Sequence, residues 1–111
     1  MLLLDQAFLA GMGNYLRSEV LFQARLLPSR KPRDLDDDER RRLAHALLDV
    51  PRRSYRTRGS RRYAASVNDT PTGFRFAVFD RAELPCAGCG GLVERREIGG
   101  RRLYLCPRCQ R

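Results

Sequence analysis

The chain has 111 residues, with 22 Lys+Arg against 13 Asp+Glu, a formal charge of +9; Lys31 is its only lysine, so the excess is almost all arginine. That length suits one compact body or two small ones sharing a surface. Arginine presents a flat fork of donors to phosphate oxygens, so the balance selects nucleic acid first as a partner, with anionic lipid or an acidic protein behind it, while no run is long and apolar enough to cross a bilayer as a helix.

The opening MLLLDQAFLA is apolar, but it lacks the basic n-region of a signal peptide and carries Asp5 early. The chain reads as a soluble, cytoplasmic protein. Leu2, Leu3, Leu4, Ala7, Phe8 and Leu9 load it with more apolar surface than one narrow stripe needs, which marks the chain as a portion of something larger. This first helix is expected from Leu2 to Ala10, stopping at Gly11. A second is expected to open at Asn14, a good N-cap residue, and to run through Leu16, Glu19, Val20 and Leu21 to about Ala24. Pro28, Ser29, Lys31 and Pro32 then mark a loop.

A third helix should open at Asp36 with Glu39 three residues on, the spacing of a capping box. Leu43, Ala44, Leu47 and Leu48 recur at helical spacing and are expected to face the core. Pro51 should interrupt or restart this helix, and RRSYRTRG reads as a further short helical stretch ending at Gly59. The domain reading is therefore a helical part over 1–59, a flexible, turn-rich loop over 60–73, and a strand with a small β tail over 74–111. The strand is expected in FRFAVFDR, where Phe74, Phe76 and Val78 alternate with Arg75, Ala77 and Phe79.

All four cysteines fall in the tail: Cys86, Cys89, Cys106 and Cys109, spaced C-x2-C-x16-C-x2-C. Each C-x2-C turns tightly enough to aim two sulfurs at one ion, so the pattern fits a four-thiolate site for one zinc. A closed set of four leaves no position for substrate, which makes the zinc structural. Two disulfides are the rival, disfavoured without an export signal. Between the pairs, LVERREI and RRLYL can form strands joined at Gly99-Gly100, carrying Arg95, Arg96, Arg101 and Arg102 on a basic hairpin. Those arginines suit a nucleic-acid groove, or are simply solvated.

The stretch AGMGNYLRSE admits two readings as well. In one, Gly11 ends the first helix and Asn14 caps the next. In the other, the two glycines clear a path for an anion to the unpaired N–H groups at a helix start. At this point the residues resemble a known family. LLLDQAFLAGMGNYLRSEVLFQARLLP is similar to the helix–two-turn–helix segment of the formamidopyrimidine-DNA glycosylase/endonuclease VIII family, and PCAGCGGLVERREIGGRRLYLCPRCQ to its C-terminal zinc finger. The endonuclease VIII branch is nearest, through DQAFLAGMGNYLR, SYRTRG and FRFAVFDR.

The resemblance implies a mainly α fold with a small β part: a helix–two-turn–helix bundle followed by a four-cysteine zinc-finger hairpin. It implies duplex DNA with damaged or abasic sites as partner, gripped at phosphates by Gly13, Asn14 and Arg101, with Glu19 structural. The family's chemistry uses an N-terminal proline amine and a following glutamate, whereas this chain begins Met1-Leu2-Leu3. No catalytic residue is assigned, and the chain reads as the DNA-binding portion of a base-excision glycosylase and AP lyase without its N-terminal catalytic domain. Two other readings stay open: a free-standing zinc-ribbon nucleic-acid-binding or regulatory protein, and an enzyme using the Met1 amine or Lys31.

Overall fold

The computed structural model describes residues 3, 13–58, 76–98 and 100–111, with the side chains of Asn14 and of 54–58 left aside. The helix expected over Leu2–Ala10 and the loop expected over 60–73 therefore lie outside the described residues, apart from the fully buried Leu3.

Helix α1 spans Asn14–Ala24. Its N-cap is Gly13, extended at φ −67° and ψ 163°, rather than the expected Asn14, which is already the first helical residue. The reason lies in the backbone: the Gly13 carbonyl accepts the Arg17 N–H at 3.1 Å and so closes the first helical turn. The inner face buries Val20, Leu21 and Ala24. At the other end Leu26 N–H donates to the Leu21 carbonyl and Arg25 N–H to that of Phe22, each at 3.0 Å, a Schellman ending with Arg25 left-handed at φ 63°.

One 3-10 turn, Pro32–Asp34, fills the loop before α2, which spans Asp37–Arg58. The capping box is present. Glu39 N–H donates to Asp36 Oδ1 at 2.8 Å, and Asp36 N–H to Glu39 Oε1 at 2.9 Å. Arg30 grips the same Glu39 carboxylate with both Nη atoms at 3.0 Å, which holds that carboxyl below its ordinary pKa. Replacing Asp36 by alanine should cost about 1 kcal/mol of stability, read from denaturant unfolding of the zinc-loaded chain.

The buried stripe of α2 is Leu43, Ala46 and Val50 with Leu47 half-buried, the i, i+3, i+4, i+7 pattern of one helical face. Ala44 and Leu48, both expected inside, are exposed, Leu48 by 64%. They fall outside the arc that the stripe turns toward α1. Pro51 does not interrupt the helix as expected; it lies inside one continuous element. Proline removes one backbone donor there, and a side-chain ring spans the defect. Arg53 Nε donates to Asp49 Oδ2 at 2.8 Å, Arg53 Nη2 to Gln23 Oε1 at 2.6 Å, and Gln23 Nε2 to Asp49 Oδ2 at 3.2 Å. This ring fastens both flanks of Pro51 to α1.

The strand expected over Phe74–Phe79 does not form among the described residues, where Phe76–Asp80 runs as bends and turns. Its backbone donors are taken by a carboxylate instead. Buried Glu19 of α1 accepts N–H bonds from Ala77 at 2.8 Å, Val78 at 2.8 Å and Phe79 at 3.0 Å. With three consecutive donors turned toward one side chain, no ladder can start there.

The expected hairpin does form. Strand β1, Glu94–Ile98, pairs antiparallel with β2, Arg101–Leu105, in a register that runs from Glu94↔Leu105 to Ile98↔Arg101. That leaves a two-residue loop, and Gly100 takes a positive φ of 78°, as such tight turns require. β2 packs on α1 and has Leu103, Tyr104 and Leu105 buried, while β1 stays on the outside.

Two apolar clusters meet at this seam. One joins Leu3, Val20, Leu21, Ala24, Leu26, Leu35, Leu43, Ala46, Val50 and Phe76; the other joins Val78, Cys86, Val93, Tyr104 and Cys106. Edge-to-face rings stitch them together: Tyr15–Phe76 at 5.3 Å, Phe76–Phe79 at 5.2 Å and Phe79–Tyr104 at 5.2 Å between centroids. Polar ties add to this. Tyr104 N–H donates to Ser18 Oγ at 3.1 Å. Buried Gln110 accepts the Cys106 N–H and donates to the Leu26 carbonyl, both at 2.8 Å. Arg111 exchanges backbone bonds with Arg25 and Leu27.

Candidate metal centre and nucleic-acid interface

The four cysteine sulfurs all lie within 4.8 Å of one another. Cys86 Sγ and Cys109 Sγ are 3.7 Å apart, and Cys89 Sγ and Cys106 Sγ 3.5 Å. Four thiolates about 2.3 Å from one tetrahedral zinc would sit about 3.8 Å from each other, so the set fits a single ion and no other chemistry as well. The first knuckle is shaped for it. Gly88 N–H points at Cys86 Sγ at 3.3 Å and Gly91 N–H at Cys89 Sγ at 3.4 Å, donors that stabilise thiolate. Gly90 supplies the positive φ of 79° that closes the turn.

Burial raises Cys106, but N–H bonds from Cys109 and Arg108 and the neighbouring thiols outweigh it and bring that pKa down to about 7. Cys109 is pushed up to about 12, by burial first and then by the other cysteines. A zinc ion held by these four sulfurs as thiolates has no ligand position left open. Cys86, Cys89, Cys106 and Cys109 thus form a structural zinc site.

The other residues named from sequence lie away from the sulfurs. Gly13 is exposed at the start of α1, and Asn14 follows it. The first turn of α1 contains no acid, whereas α2 opens with Asp37, Asp38 and Glu39. The positive end of α1 is therefore not neutralised by its own first turn. Arg101 is half-buried at the hairpin tip, the first residue of β2. Arg17, almost wholly shielded from solvent, links the two places. Burial and then the charge of Arg101 lower its pKa, which puts the hairpin tip within electrostatic reach of the helix start.

Sequence reasoning gave no role to Arg17, Ser18 or Gln110. The one signal for Arg17 was an arginine interrupting the apolar face one turn after Gly13. Ser18 and Gln110 carry no local pattern at all, because their partners lie 86 and 84 residues away. Glu19, read as structural, ties α1 to the turn before the knuckles.

Known proteins share this geometry. Residues 1–64 match the profile of the formamidopyrimidine-DNA glycosylase H2TH domain, and residues 83–111 that of the zinc finger found in FPG and IleRS. Endonuclease 8 of Klebsiella pneumoniae subsp. pneumoniae is 51% identical over 112 residues, covering 98% of this chain and 40% of that protein. Endonuclease 8 of Escherichia coli O127:H6 is 49% identical with the same coverage. Among solved structures, MutM (Fpg) from Thermus thermophilus superposes with a TM-score of 0.76 at 39% identity, covering 97% of this chain and 42% of that one. Lactococcus lactis Fpg in complex with an abasic site containing DNA shares the fold at a TM-score of 0.79 and 24% identity, over 98% of this chain and 40% of that one. The chain spans about two fifths of the length of the curated relatives it matches. With a helical body tied through Glu19 and Gln110 to a four-cysteine hairpin, and both halves matched in order, the chain belongs to the formamidopyrimidine-DNA glycosylase/endonuclease VIII family.

Proposed function

We propose that this chain is the DNA-gripping portion of a base-excision glycosylase and AP lyase for oxidised bases, with the bond-breaking chemistry in sequence that its relatives carry beyond the matched stretch. The observation that carries the reading is the approach of two basic features at one end of the molecule. The N-terminus of α1 offers backbone donors at Gly13 and Asn14, and Arg101 on the hairpin tip is near enough for its charge to act on Arg17, one turn into that helix. Helix starts and guanidinium forks are two standard ways to hold a phosphate, and together they fix a duplex in register without reading its bases. The zinc site acts at a distance, by holding the hairpin at the angle that delivers Arg101.

The chain should bind a duplex with one abasic site, with a strong salt dependence and little sequence preference. Arg101→Ala is expected to weaken that binding about tenfold and to reduce the salt slope by about one. Asn14→Ala is expected to weaken it about fivefold. Fluorescence anisotropy at several salt concentrations reads both, and two variants with unchanged affinity would overturn the assignment. Preference for structured RNA over abasic duplex would favour a free-standing zinc ribbon instead.

A further inference from the structure

The C-terminal end of α1, the start of α2 and the zinc knuckles enclose a cleft of about 750 Å³. It lies at the far end of α1 from Gly13, roughly 16 Å along an eleven-residue helix. Phe22 and Gln23 line it from α1, and Arg25, Arg108 and Arg111 are exposed around it. Among the described residues the side chains of these three arginines make no hydrogen bond or ion pair. The acids on the wall are otherwise engaged: Asp36 accepts the Glu39 N–H, and Glu39 is held by the Arg30 fork. Three arginines whose side chains have no partner among the described residues therefore line one concave space.

Two of the three are set in place by the backbone. Arg25 occupies the left-handed helix ending at φ 63°, where glycine would sit without strain. A side chain at such a position carries a backbone cost that the rest of the fold must offset. Arg108 lays its stem over bare Gly91, where an added Cβ would come within 2.7 Å of Arg108 Cδ. Its guanidinium is thereby held across the first knuckle.

We propose that this cleft docks a short acidic peptide segment of a partner protein, on a surface separate from the DNA grip. Guanidinium forks match carboxylates two bonds at a time, and the cleft has the volume of a ligand pocket. A cleft of about 750 Å³ can receive a single extended segment, whereas a stiff duplex is too wide to enter it. The Phe22 ring gives an apolar side chain of that segment a surface.

The test uses the zinc-loaded chain and a fluorescein-labelled Asp-Asp-Phe-Asp-Asp peptide, with an Asn-Asn-Phe-Asn-Asn peptide as control. The acidic peptide should bind and the control should not. Arg25→Gly should raise the melting temperature, by relieving the left-handed residue, and yet weaken peptide binding about tenfold. Arg108→Ala should weaken it similarly with zinc content unchanged. Arg101→Ala should leave it untouched. The proposal fails if the acidic peptide binds no better than the control, or if Arg25→Gly and Arg108→Ala bind it as tightly as the parent. It fails equally if those two variants lose abasic-duplex affinity as Arg101→Ala does, since the cleft would then be part of the DNA track. Loss of duplex binding in Arg101→Ala with peptide binding intact supports two separate surfaces.

Discussion

Replacing Cys106 by alanine is expected to abolish stoichiometric zinc and to unfold the tail from about Glu83 onward. The sulfur is fully buried and lies 3.5 Å from Cys89 Sγ, so its loss leaves three thiolates and a gap inside the second cluster. Structural zinc in small sites of this kind contributes on the order of 10–16 kcal/mol, far more than a two-stranded hairpin gains by itself. The damage should spread. Cys106 N–H is held by Gln110, Gln110 donates to the Leu26 carbonyl, and Arg111 pairs with the backbone at Arg25 and Leu27. Loosening the knuckle therefore frees the end of α1, and helical signal should fall together with the hairpin. Metal analysis and limited proteolysis read the result, and a Cys106→Ala chain that kept a protease-resistant tail would refute it. A chelator added to the parent chain should reproduce the effect, and excess zinc should reverse it.

Glu19→Ala is expected to cost about 3–5 kcal/mol, because it strips one acceptor from three buried or half-buried backbone donors at once. Glu19→Gln keeps the volume but presents an amide NH2 to one of those donors, and should cost about 2–3 kcal/mol. Denaturant unfolding of the zinc-loaded variants separates the two, and a loss below about 1 kcal/mol for alanine would show that the tie carries little. Burial is the largest influence on this carboxyl and pushes its pKa above the ordinary carboxylate value, against the pull of the three N–H bonds and of Arg53. The folded state thus holds the proton more tightly than the unfolded chain between the ordinary and the raised value. The contribution of this group to stability falls as pH rises through that window, and is constant above it. A carboxyl NMR titration of Glu19 should show its midpoint displaced upward, and Glu19→Gln should remove that part of the pH dependence.

What could be read directly from the residues was local. The capping box of Asp36 and Glu39, the cysteine spacing and the hairpin turn at Gly100 each need only a few neighbouring positions, and each is where it was expected. The larger failures share a cause, since a distant partner overrode a local pattern. FRFAVFDR alternates like a strand, but a carboxylate nearly sixty residues away takes its donors. Pro51 should break a helix, but Gln23 of α1 closes a ring with Asp49 and Arg53 across it. Leu48 has the right residue type for the core and the wrong angle around the helix. The candidate grip followed the same rule. Gly13, Asn14 and Arg101 came from motif resemblance, whereas Arg17 needed the hairpin folded back on α1 before its neighbour could be seen.

The hairpin also has an open side. β2 packs on α1, but among the described residues β1 has no strand on its outer side along Glu94–Ile98, where a second copy could add as a third strand. The sequence ERREI resists that addition. Two copies meeting about a two-fold axis at Arg95 or at Arg96 would set that arginine directly against its own copy, and parallel in-register stacking would set like charge on like from Glu94 to Glu97. Because Arg96 already pairs with Glu94 on its own strand at 2.8 Å, it has little to gain from a neighbour. The finger can thus remain a bare two-stranded ribbon, slim enough to enter a groove, without the self-association that an uncharged edge of the same length would invite.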